Sequence, residues 1–97
     1  MKPLRTSPSA SAEFAEAVRW YELKRPGLGS EFFDAVAAAG DLIKTQPSVG
    51  ASRGRARSWL IPRFPYRLVY RVREADIYIV AVAHSSRKPD YWKHRNR

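Results

Sequence analysis

The chain has 97 residues, 18 Lys and Arg against nine Asp and Glu for a formal net charge of +9, 44% hydrophobic and 12% aromatic content, and no cysteine. That composition excludes a disordered basic arm, and the length gives one modest core rather than two, hence a single domain over residues 1–97. Without cysteine there is no disulfide framework, thiolate nucleophile or Cys-type zinc site, and no apolar run approaches the roughly 18 residues of a membrane span.

Met1–Thr6 is short and polar and forms at most an edge strand. The polar, proline-containing N-terminus also lacks the apolar centre of a signal peptide, so the expected location is the cytoplasm. Ser7-Pro8 supplies a helix N-cap followed by proline at the first helical position. Phe14, Ala17, Val18 and Tyr21 then recur at helical spacing until Pro26-Gly27 ends the pattern. From Leu28, Phe32, Val36, Ala39 and Ile43 form a second apolar stripe closed by Pro47, with alanines at 35 and 37–39 suited to close helix approach. Two amphipathic helices joined by so short a turn predict an antiparallel hairpin.

Residues 47–57 show no periodicity and predict a loop. Ser58–Pro62, Tyr66–Arg73 and Ile77–His84 predict strands, the first at an edge because Pro62 and Pro65 cannot donate to a ladder. In the second strand Arg67, Val69, Arg71 and Arg73 share one face. In the third, Ile77, Ile79, Ala81 and Ala83 alternate with Tyr78, Val80 and Val82, so both faces are apolar and the one away from the helices awaits a cover. The predicted fold is α+β: an N-terminal helical hairpin packed on a three- to four-stranded antiparallel sheet.

Charge is distributed unevenly along the chain. Residues 1–52 hold six basic and six acidic residues, whereas residues 53–97 hold twelve basic residues against Glu74, Asp76 and Asp90. Self-repulsion of this kind costs stability, which points to a polyanion or an acidic protein as partner. The loop arginines Arg53, Arg55 and Arg57 are divided between solvation and contact, while the strand directs Arg67 and Arg71 as guanidinium forks. Trp59, Tyr66, Tyr70 and Tyr78 fit core packing better than base stacking.

Other chemistries find little support. Gly27-Leu28-Gly29-Ser30 lacks the lysine and spacing of a phosphate-binding loop and reads as a turn. His84 and His94 have no metal-ligand partner at useful spacing, so neither a metal nor a cofactor is expected. A metal-free ribonuclease needs a base, an acid and cations around the phosphate, and Arg67, His84, Arg87 and Tyr91 are the residue types that supply them. The opposing reading packs Pro89-Asp90-Tyr91-Trp92 against the body as a plain tail.

Phe64-Pro65-Tyr66-Arg67-Leu68-Val69-Tyr70-Arg71-Val72, then Ala81-Val82-Ala83-His84 and Arg87-Lys88-Pro89-Asp90-Tyr91-Trp92, resembles the RelE/ParE superfamily of type II toxins over roughly residues 7–95. Trp20-Tyr21 and Pro26-Gly27-Leu28-Gly29 before Phe32 are similar to its ParE-like, plasmid-stabilisation branch. The resemblance implies two helices on an antiparallel sheet and a cognate antitoxin that wraps the toxin. It also implies one of two targets: the ribosome and its mRNA, which RelE-like members cleave, or DNA gyrase, which ParE-like members inhibit by binding.

Ser58 and Leu60 stand where the nucleases carry lysines, and Ser85 where they carry an arginine. At roughly 2.7–4 kcal/mol of transition-state stabilisation per donor, before non-additivity, three missing cations count against ribonuclease activity. The expected activity is therefore gyrase inhibition without catalysis, with ribosome-dependent mRNA cleavage and a non-toxic basic nucleic-acid-binding module as the alternatives. The expected target- or antitoxin-binding residues are Arg57, Arg63, Arg67, Arg71, Arg87, Lys88, Tyr91 and Trp92.

Overall fold

In the computed structural model, which describes residues 1–95, the chain runs β1 (Leu4–Thr6), α1 (Pro8–Lys24), α2 (Leu28–Thr45), β2 (Ala51–Arg53), β3 (Ala56–Leu60), β4 (Tyr66–Val72) and β5 (Ile77–His84), followed by a 3₁₀ turn at Lys93–Arg95. The sheet order is β1-β5-β4-β3-β2, with β1 parallel to β5 and the other pairs antiparallel. The α+β architecture with an N-terminal helical hairpin is the expected one, but the sheet is five-stranded and mixed.

The extra width has two sources. Leu4–Thr6 pairs in parallel with Ile77–Ile79 as an edge strand. Within the segment expected to be a loop, Gly54 adopts φ 64 and with Arg55 forms a two-residue turn, so Ala51–Arg53 folds back on Ala56–Ser58. β3 is therefore an interior strand, not an edge. Pro62 and Pro65 lie beyond its last residue, in the connection to β4, where no ladder bond is lost.

Local chemistry fixes the hairpin of helices. The Ala10 N–H donates to Ser7 Oγ at 3.0 Å, and buried Ser7 is tied to β5 through its own N–H to the Ile79 carbonyl, also 3.0 Å. At the turn, Gly27 takes φ 91, and the Glu22 carboxylate accepts from the N–H groups of Gly27 and Gly29. The N–H groups of Gly27, Leu28 and Gly29 are thus taken by the chain itself, and the turn is confined to Pro26-Gly27, since Leu28, Gly29 and Ser30 already form the first turn of α2. The helices approach closely at Gly29, where a Cβ would lie 2.7 Å from the Val18 carbonyl oxygen. Of the alanines expected to do this, Ala37 and Ala38 are exposed.

The main core lies between the helices and the sheet, built around Tyr21, Phe32, Ile43, Phe64, Leu68, Tyr70, Ile79 and Val82. Its aromatic centre joins Phe32 to Tyr21, Phe64 and Tyr66 at ring-centroid distances of 5.1, 5.1 and 5.0 Å. A second, smaller cluster occupies the other face of the sheet: Ala56, Val69, Val80, Ala81 and Ala83 beneath Trp92. The outer face expected to await a cover is covered by the chain's own C-terminal segment.

A β-bulge makes this possible. Val69 opposes Ala81 and Tyr70 opposes Ile79, which leaves Val80 unpaired in β5. Strict alternation along β5 is thereby broken. Val80 and Ala81 both join the outer cluster, while Val82 returns to the helix side with Ile77 and Ile79. No helix among the described residues is long and apolar enough to cross a membrane.

Candidate functional site

Glu13 organises the C-terminal end of the molecule. Ala10, Ala17 and Tyr21 are the buried residues of α1, and Glu13 falls three residues after the first and four before the second, on that inward stripe. Its Oε1 accepts from the Val82 N–H and from Arg95 Nη1, both at 3.0 Å, and its Oε2 accepts from the Tyr91 hydroxyl at 2.5 Å. Arg87 Nη1 stands 3.8 Å from the same carboxylate. One acid from the charge-balanced half thus engages four residues of the basic half, Val82, Arg87, Tyr91 and Arg95.

Tyr91 is enclosed by these partners. The Arg87 guanidinium lies 3.8 Å from its ring centroid and that of Arg95 5.1 Å. Burial, then the hydrogen bond to Glu13 and that residue's charge, push the Tyr91 hydroxyl far above the ordinary tyrosine range, with Arg87 and Arg95 acting in the opposite direction. A hydroxyl held in this way donates one fixed hydrogen bond and is a poor proton shuttle at neutral pH.

Between the outer face of the sheet and the segment 85–92 runs a groove of about 480 Å³. Arg53, Arg67, Arg87 and Lys88 line it, together with His84, Tyr91 and Trp92. Arg67 is set by β4, opposite Ala83 of β5 and Leu60 of β3, and its Nη1 lies 3.4 Å from Ser58 Oγ. Arg53 reaches across to Asp90 at 2.8 Å. His84 Nδ1 accepts the Ser86 N–H at 2.9 Å, and its ring meets Tyr66 edge-on at 4.9 Å.

The structure gathers Arg67, His84, Arg87, Lys88, Tyr91 and Trp92 around one groove, and sets the other expected residues elsewhere. Arg57 points to the helix side and donates to the carbonyls of Ser48 and Gly50, at 3.2 and 2.9 Å. Arg63, at φ 72, lies 3.6 Å from Glu31 and beside the Phe64 ring. Arg71 shares a strand face with Arg67 but pairs opposite Tyr78, away from the groove lining. Trp92 is 6% exposed and serves the outer cluster.

Two acids were absent from the sequence reasoning as structural residues. Glu13 was legible as a carboxylate at a helical position that the apolar spacing turns inward. Asp76, which the sequence shows only as one of three acids in the basic half, is buried and accepts from both Nε and Nη2 of Arg73 at 2.6 Å, with Arg5 at 3.4 Å. Its carboxyl is held below the usual range, chiefly by the Arg73 hydrogen bonds and then by the charges of Arg73, Arg5 and Lys2, against the opposing effect of burial. Among the described residues, no three His, Asp or Glu side chains are placed to hold a metal ion.

The arrangement suits the binding of anions more than proton transfer. Among known proteins, a family model described as the ParE toxin of the type II toxin-antitoxin system, parDE, matches residues 4–89. A solved structure titled "Chromosomal ParDE TA system from P. aeruginosa" shares the fold with a TM-score of 0.64 and 21% identity, over 87% of this chain and 96% of the other. No curated protein matches the chain.

Proposed function

The chain belongs to the ParE toxin family of type II toxin-antitoxin systems, and from that premise we propose that it inhibits DNA gyrase by binding, without catalysis, and is neutralised by a cognate antitoxin. The observation that carries this reading is the engagement of Tyr91 by Glu13 at 2.5 Å beside a groove whose lining positions 58 and 85 are both Ser, with Leu at position 60 of the same strand as Ser58. A site that stabilises a phosphorane needs cations at the reacting phosphate and an acid for the leaving oxygen. Arg67, Arg87 and Lys88 supply charge, but the tyrosine is committed to holding the C-terminal segment. Such a surface is suited to docking, and the cytoplasm is where it would meet gyrase.

The antitoxin is expected to be acidic or amphipathic, so that its carboxylates meet the arginines while apolar residues lie over the sheet and helices. A supercoiling assay with purified toxin tests the activity. Inhibition that the antitoxin relieves supports the proposal, and full supercoiling at stoichiometric excess of toxin overturns it. New 5′ ends on translated mRNA after induction, mapped by primer extension, would establish the ribosome-dependent nuclease in its place.

A further inference from the structure

We propose that the groove on the outer face of the sheet is the seat of an extended acidic peptide segment, whose carboxylates are taken by Arg67, Arg87 and Lys88. This deepens the antitoxin reading and rests on it for the identity of the partner. The cations differ in how far they are already satisfied. Arg53 is bound to Asp90 at 2.8 Å and Arg87 stands 3.8 Å from Glu13, whereas Arg67 and Lys88 have no carboxylate partner among the described residues. Both line the same groove, one from β4 and one from the segment that follows β5. β4 fixes the backbone beneath Arg67, and Ser58 Oγ is within reach of its guanidinium at 3.4 Å, so the fork is aimed before a ligand arrives.

The aromatic residues decide between a peptide and a single-stranded nucleic acid. Sequence-tolerant nucleic-acid grooves combine cations with open aromatic faces on which bases stack. Here Trp92 is 6% exposed and packed into the outer cluster, and Tyr91 is flanked by Arg87 at 3.8 Å and Arg95 at 5.1 Å. The stacking faces are spent on the protein itself. What remains is charge over a floor formed by Val69 and Ala83, which matches a strand alternating acidic and small apolar side chains.

The test is titration of the full-length protein with a synthetic peptide alternating Glu and Val, and separately with an oligouridylate of equal charge, at low and physiological salt. The peptide is expected to bind, to weaken as salt rises, and to lose at least about tenfold in affinity when Arg67→Gln is combined with Lys88→Gln. A charge-matched control, Arg19→Gln with Arg55→Gln, leaves the fold and the groove unchanged and should keep the affinity within about twofold, as for exposed charges outside a site. Equal weakening by the control pair overturns the groove as the site. An oligouridylate that binds as tightly as the peptide, and is weakened by the groove pair, overturns the peptide in favour of nucleic acid. Supercoiling is scored in parallel: absent inhibition with intact peptide binding counts against the gyrase reading alone, and intact inhibition with peptide binding that the groove pair does not weaken counts against the groove alone.

Discussion

The Tyr91 hydroxyl donates to Glu13 Oε2 at 2.5 Å across 78 positions of sequence, and with Arg95 it fastens the last described segment to the first helix. Removing the carboxylate leaves the Val82 N–H, the Tyr91 hydroxyl and the Arg95 guanidinium without their acceptor. Glu13→Ala is therefore expected to cost on the order of 3 kcal/mol, and Tyr91→Phe, which deletes a single charge-assisted bond, about 1.5 kcal/mol. Urea unfolding of both single variants and the double variant checks this. If the two act through one contact, the double variant falls short of the sum; strict additivity would show that the contact carries no coupling energy.

The same hydrogen bond sets an alkaline limit. Tyr91 in the folded protein titrates above its ordinary value near 10, so the unfolded chain releases this proton first as pH rises. The stabilisation is complete below pH 10 and is lost progressively above it. Tyr21 and Tyr66 are also raised, the first by burial and the second by burial and nearby charge, so the measurement has to isolate one group. The difference in urea midpoint between the parent and Tyr91→Phe should shrink from about pH 9 to pH 11. A constant difference over that range contradicts the assignment.

Asp76 sets the acid counterpart with the opposite sign. Its folded value lies below the ordinary 3.8, so its contribution is present above that value and lost as pH falls through the folded one. The carboxylate ties the β4–β5 turn to Arg73 and reaches Arg5 in the edge strand β1. Asp76→Asn should lower the midpoint at pH 6 and bring it towards that of the parent below pH 3, approximately the window over which a depressed carboxylate protonates. Equal sensitivity of both proteins to acid would exclude Asp76 as the group responsible.

At Gly29 two effects of alanine compete. Replacing a helical glycine gains about 1 kcal/mol in propensity, but the new Cβ would sit 2.7 Å from the Val18 carbonyl oxygen and 2.9 Å from Glu22 Oε1. The obstacle at Val18 is backbone and cannot rotate away, and overpacking of this kind costs roughly 1–3 kcal/mol. Gly29→Ala is expected to destabilise on balance, with a lower melting temperature. A raised melting temperature would mean that the helices separate at little cost.

What the sequence made legible follows from which residues carry a polar marker. The helices announced themselves through Ser7-Pro8, Pro26-Gly27 and a one-sided apolar spacing. β4 was equally plain, because Arg67 and Arg71 mark its outer face. β5 has no such marker: Ile77 to Ala83 is apolar on both faces, so the phase shift at Val80 leaves no trace in the pattern. The β2–β3 hairpin escaped because its strands are short and polar, although Gly54-Arg55 fits a two-residue turn with glycine first. Sorting the arginines required geometry, since Arg57 and Arg67 both lie on strands yet one clamps Ser48 and Gly50 and the other lines the groove.

Tyr91 also separates a binding toxin from a cleaving one. If it is a structural anchor, Tyr91→Phe keeps the ring beneath Arg87 and loses only the bond to Glu13, so supercoiling inhibition per folded molecule should stay within about twofold of the parent, a change below 0.5 kcal/mol. A general acid or base in the same position would be worth about 10²- to 10⁴-fold in rate. The assay is run well below the variant's melting temperature, with circular dichroism confirming the folded fraction. Retained inhibition fits the contact seen with Glu13, whereas loss of inhibition by that larger factor in a folded Tyr91→Phe protein would overturn Tyr91 as a purely structural anchor.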